Sequence, residues 1–307
     1  VISLRPALES FLAASGEIAP LDQTITFMQM VAAPDSCLND ALDGDQFDAL
    51  FTLGAIHWPM ADFSAWQAAA DAFPEADLIQ QINALAPDLA PLLPEGELLR
   101  VCVIPVPHLE RTEIDPQVTP APGLRFVNHW IALKDLNAVA LRGNAILVTC
   151  SAGADCLDDV RVELIRAASM AYQERVAGVE LPALALLDRM VYEGRADDYV
   201  QRVEPGHEFE WNEGLSAADE ENVWHSMRFS LTEDTFRYAF INDYLYGTYG
   251  SSRYPAWGGM VIGDRIVQMY LSQHPDLAWT DLVAVPPQEL FEASGYDPDL
   301  MLFNLSR

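Results

Sequence analysis

Lysine is almost missing from this chain of 307 residues: Lys134 stands alone beside 16 arginines and against 46 acidic residues, leaving a formal charge of −29. A field of that sign repels phosphates and anionic lipid heads, which argues against nucleic acid and charged membrane surfaces as partners. Long apolar runs are missing too. No stretch approaches the roughly 18–20 residues that span a bilayer, so no transmembrane segment is expected. No charged n-region leads into an apolar h-region at the start. The chain begins at Val1, which fits removal of a signal peptide as well as simple trimming, and a periplasmic or extracellular location is the expectation.

Several catalytic signatures are absent as well. There is no Gly-x-Ser-x-Gly elbow, no Walker loop and no Gly-x-Gly-x-x-Gly, so neither a serine hydrolase nor a nucleotide site is indicated. Without a Cys-x-x-Cys, a thiolate zinc site has no support. The six histidines, His57, His108, His129, His207, His225 and His274, stand singly. One near miss is His207-Glu208-Phe209-Glu210-Trp211, which opens like His-Glu-x-x-His but has Trp211 where the second imidazole is needed. Pro205, Gly206 and Gly214 also break the helix that such a motif requires.

What is present begins with a helical N-terminal region over residues 1–93, in which Phe47, Leu50 and Phe51 share one face and Leu78, Ile82 and Leu85 another. Pro87, Pro91, Pro94 and Gly96 mark the boundary to a second domain over 94–307. Extended runs follow: LLRVCVIPV, then LRFVNHWIAL with its alternating Phe126, Asn128 and Trp130, then NAILVTC. They predict a small mixed sheet. Of the four cysteines, Cys150 and Cys156 bracket CSAGADC, whose small residues suit a tight loop; a local disulfide there is a candidate in an exported protein, with buried thiols as the alternative.

From Asp158 the pattern is helical, with Val160, Leu164, Ala168, Ala171 and Tyr172 on one face and Asp158 or Asp159 placed to cap it. A second helix runs from about Pro182 and carries Leu184, Leu187, Val191 and Tyr199. An acidic loop-like stretch spans Glu204 to Glu221. Helix is then expected from Val223 to Tyr246, over MVIGDRIVQMYLSQ up to His274-Pro275, and over PPQELFEAS with Gly295 just past its end.

The order of these parts, NAILVTC, then DDVRVELIRAASMAYQERV, then LPALALLDRMVYEGRADDYV with its Glu193-Gly194, resembles a bacterial family of predicted zinc-dependent proteases with a gluzincin-like core, a domain of unknown function. LLPEGELLRVCVIPV is similar to the family's first strand, and the closing segments YLYGTYGSSRYPAWGGMVIGDRIVQMYLSQHPD and PPQELFEASGY are similar to its C-terminal pattern. The resemblance covers roughly residues 92–296. It implies an α+β, zincin-like fold, mostly helical with a small mixed sheet, and a helix bearing His-Glu-x-x-His followed by a helix whose Glu193 would be the third zinc ligand.

The departure falls on the zinc helix. Laying the family's motif on this chain puts its two histidines and glutamate at Ala167, Ala171 and Ala168, or one position earlier at Arg166, Met170 and Ala167. Neither register supplies a ligand or a base, and a catalytic zinc needs about three protein ligands. The resemblance therefore implies a protease-like scaffold without protease chemistry: no cofactor, a vestigial site at Ala167, Ala168, Ala171 and Glu193, and a protein partner not identified by the sequence. The alternative is an active metal-dependent peptidase that combines Glu193 with other ligands and binds zinc; His207, His225 and the acidic pair at 197–198 are candidates. Arg253 and Tyr254 are candidate oxyanion or cleft residues. Glu193 has a plainer role open to it, as the ionic partner of Arg189, Arg195 or Arg166. The alanines may be read as plainly, since small residues also let two helices approach closely.

Overall fold

The computed structural model describes residues 1–14, 23–31, 63–107, 136–141, 144–151, 155–178, 184–209, 211, 215–233, 244–245, 247, 255 and 257–297. The fold is α+β and mostly helical with a small sheet. The chain divides into two compact units, Val1–Thr119 with Val127–Ala171, and Pro120–Phe126 with Tyr172–Arg307.

In the first unit, β1 (Ile2–Ser3), β2 (Arg100–Val106), β3 (Leu136–Leu141) and β4 (Ala145–Ser151) form a sheet of order β1-β2-β4-β3. β1 and β4 pair parallel with β2, while β3 runs antiparallel to β4, so the sheet is mixed. The central strands RVCVIPV and AILVTCS are near-continuous apolar runs, as strands buried on both faces require. Helices α1 (Arg5–Ala14), α2 (Gln23–Val31) and α3 (Phe63–Ala72) supply the core over this sheet. Leu8, Phe11 and Leu12 of α1 recur at helical spacing and pack with Phe27, Val31, Trp66, Cys102, Ile104 and Leu147. The Phe11 and Phe27 rings meet edge-on at 5.4 Å.

α4 (Glu75–Ala84) and α5 (Ala86–Leu89) follow α3, and Leu78, Ile82 and Leu85 are buried as their spacing predicts. The proline-rich stretch after them leads into β2. A two-residue strand at the N-terminus joins the sheet, and Leu4 N–H donates to the Val103 carbonyl at 2.8 Å, so residues on either side of 93/94 share one core. Nothing in a two-residue strand marks it by periodicity. β3 has the sequence LNAVAL, whose alanines carry little β-propensity and gave no signal; the strand expected over 124–133 lies outside the described residues. Phe47, Leu50 and Phe51 lie outside them as well.

Helix α6 (Val160–Ala177) crosses the division between units, which falls after Ala171. The second unit continues with α7 (Leu186–Val203), α8 (Ala217–Met227), α9 (Gly258–Gln273), α10 (Trp279–Ala284) and α11 (Pro287–Ser294). α7 and α9 cross at glycines. A Cβ on Gly194 would lie 2.5 Å from the Gly263 carbonyl oxygen, and one on Gly263 would strike the Met190 carbonyl, so no larger residue fits either place without moving backbone. The first free N–H groups of α7 are satisfied by another segment: Leu186 and Leu187 donate to the Glu233 and Leu231 carbonyls, each at 2.9 Å.

That arrangement corrects the helix expected from Val223 to Tyr246. α8 starts earlier, inside the acidic stretch, where Ser216 Oγ accepts from the Asp219 N–H. It ends at Met227, and the chain turns through Ser230 and Glu233 to cap α7. α9 ends at Gln273, with His274 closing it before Pro275, and Gly295 follows α11 in the left-handed conformation, both as the sequence predicts.

Candidate functional site

Helix α6 holds the small centre. Ala167, Ala168 and Met170 are each 5% exposed, Ala171 is half-buried, and the buried Ser169 hydroxyl donates to the Arg166 carbonyl at 2.7 Å. Burial is not confined to one stripe, since Leu164, Ile165, Ser169 and Gln173 are buried too. Alanine is the best helix former and brings no polar group that would need a partner in such a place. These three alanines belong to the first unit and Glu193 to the second.

α7 is the opposite case. It is buried on nearly every side, yet Glu193, Arg195, Asp197 and Asp198 lie within it, so each charge must find a partner. Glu193 is 1% exposed, and its Oε1 lies 2.8 Å from Arg189 Nη2, one helical turn back. Of the three arginines considered for it, Arg189 forms this pair. Arg195 turns elsewhere: its guanidinium donates to the Val285 carbonyl and lies 5.9 Å from the Tyr192 ring centre. Burial draws its pKa down to about 10, against the opposing fields of Tyr192, Asp188 and Tyr270.

Asp197 accepts from Trp211 Nε1 at 2.9 Å, and Asp198 pairs with Arg202 Nε at 2.8 Å. Burial raises the Asp198 pKa, opposed by Arg202. Facing them is Asp264 of α9, whose Oδ1 accepts from Gln268 at 3.3 Å. Burial, then the charges of Asp197 and Asp198, push its pKa up to about 7, while the Gln268 hydrogen bond opposes them. Such a group holds or releases a proton near neutrality.

Asp198, Gln201, Phe209, Asp264 and Gln268 line a cleft of about 310 Å³. Its aromatic side continues as Phe209 stacked on Trp211 at 4.8 Å and Trp211 against Trp257 at 5.5 Å. The sequence had a weak signal for this cleft: Asp264 interrupts an apolar helical face directly after the crossing glycine. Gln268 lies one helical turn from it, but Asp198, Gln201 and Phe209 come from more than fifty residues earlier, and no spacing links the two sets.

The other candidates do not join this group. His207 rests edge-on against Phe209 at 4.7 Å, while His225 and His274 are exposed. Arg253, Tyr254, His57, His108 and His129 lie outside the described residues. Cys150 and Cys156 form a disulfide with Cα atoms 5.6 Å apart, and none of the described cysteines is free.

The segment over residues 174–292 matches the model of a family described as a predicted Zn-dependent protease (DUF2268). This part of the chain is similar to that family; it contains Glu193-Gly194 and α7 to α10, and it begins beyond Ala171. No curated protein and no solved structure matches the chain. Zinc is therefore implied by similarity, and the side chains can be tested against it. Among the described residues, no group of three or more His, Cys, Asp or Glu side chains is placed to hold a metal ion, and the Glu193 carboxylate is already engaged by a guanidinium. The described donor set does not fit a zinc site, which needs about three such ligands converging on one point.

Proposed function

We propose that the protein is a catalytically inactive, zincin-like module, serving as a binding or structural component of an exported or periplasmic assembly through a protein partner. The observation that carries this reading is the centre of α6, where Ala167, Ala168 and Ala171 present methyl groups. A methyl group can neither coordinate a metal nor take a proton from water. Similarity to the protease family over 174–292 supports a shared helical frame, and the Cys150–Cys156 disulfide supports an oxidising compartment.

The family's description favours a second reading, an active metal peptidase using Glu193 with ligands from elsewhere in the chain. Zinc loading, dialysis and metal analysis separate the two, followed by a peptidase assay on unstructured protein substrates. Less than a tenth of an equivalent of zinc and no cleavage above the buffer rate is the expected outcome. One zinc per chain with cleavage that is lost in Glu193→Gln would replace the inactive reading by the active one.

A further inference from the structure

We infer that Arg189 is a built-in replacement for a metal: its guanidinium supplies, from within α7, the positive charge that Glu193 would otherwise take from zinc. The inference rests on the reading above, and adds to it a named residue and a physical reason for the loss of metal. A carboxylate that is 1% exposed cannot stay ionised without a cation or several donors. In a metal site the ion does this. Here Arg189 does it from the preceding turn, at 2.8 Å and itself only 16% exposed.

The same solution recurs along the helix. Asp197 is held by the Trp211 indole and Asp198 by Arg202, so each buried carboxylate of α7 has a donor from within the chain. His207 packs on Phe209, and the Gln201 amide donates to its backbone carbonyl, while His225 and His274 face solvent. A metal arriving at Glu193 would have to displace a charge-assisted hydrogen bond in a buried place, and among the described residues no group of three or more His, Cys, Asp or Glu is placed to repay it.

The test is a double-mutant cycle on the zinc-free chain, with Arg189→Met, Glu193→Gln and both together, read as the thermal unfolding midpoint of the second unit. Each single change is expected to lower the midpoint by roughly 5–10 °C, since it leaves a buried group without its partner. The double variant is expected to lie well above the sum of the two losses, and Arg189→Lys to recover most of the midpoint. Additive losses would overturn the inference. Should the single variants fail to fold, the unaltered chain still decides it through competition with a chromophoric chelator for zinc. Binding weaker than micromolar is expected, and one tight equivalent that shields Glu193 from Arg189 would overturn it. The inactive reading fails on a different result, zinc-dependent peptide cleavage, so the two can be told apart.

Discussion

The two units place charge in opposite ways. Among the described residues, the buried polar side chains of the first unit are Thr149, Ser151 and Ser169, whereas the second buries Glu193, Arg195, Asp197, Asp198 and Glu220. The core of the first unit is apolar: two hydrophobic strands and three amphipathic helices close around Phe11, Phe27 and Trp66, and the Cys150–Cys156 disulfide adds a covalent link. The second adds a framework of specific pairs. Tyr296 donates to Glu220 at 2.8 Å, Arg265 pairs with the same carboxylate, and the Trp279 indole donates to the Arg195 carbonyl at 2.8 Å. Buried charges contribute little net stability when paired and cost much when a partner is removed. A unit built this way holds particular side chains in particular places, and it is the unit that contains the match to the predicted Zn-dependent protease family.

The sharpest way to separate the units is pH. Asp264 has its pKa raised from 3.8 to about 7 in the fold, so between those values the native state holds a proton that the unfolded chain has lost. Stability of the second unit should therefore fall as pH rises from about 4 to about 7, by roughly 4 kcal/mol, and change little from this source above that. Asp264→Asn should flatten the decline, as read by urea unfolding followed through hydrogen exchange in α7 and α9. A profile that is equally steep in the variant would assign the decline to other groups. In the first unit, Phe11→Ala should cost about 3–4 kcal/mol by loss of buried area and the cavity left behind. The same loss at pH 5 and pH 8 is expected, because among the described residues the core around Phe11 holds apolar side chains. The smallest effect is Tyr296→Phe, about 1.5 kcal/mol, with Arg265 still holding Glu220; denaturant midpoints at constant slope would measure it.

Much of the helical framework was legible in the sequence. α4, α6, α9 and α11 follow from apolar spacing and from their stops at His274-Pro275 and Gly295, which are local events. β2 and β4 were legible as apolar runs, and β1 and β3 were not, because strands of two residues or of alanine-rich composition are defined by their neighbours. The overlong helix after Val223 failed for a related reason. The turn at Ser230 and Glu233 is fixed by the carbonyl acceptors that the start of α7 needs, from some forty residues earlier in the chain.

For the candidate site the division is similar. The small centre at Ala167, Ala168 and Ala171 is a matter of residue type at helical spacing, whereas Glu193 is singled out by the resemblance to the predicted protease family. That Arg189 takes Glu193 while Arg195 turns to Val285 depends on which side of α7 faces which neighbour. So does the meeting of Asp197, Asp198 and Asp264. Asp198 and Asp264 line one cleft, with the Asp197 charge acting on Asp264, because two glycines let α7 and α9 approach to backbone contact, and the dry surroundings then decide how each charge is held. Periodicity and composition determined the elements; close packing of the helices decided which charges meet, because desolvation and Coulomb interaction act through space and leave no trace in spacing along the chain.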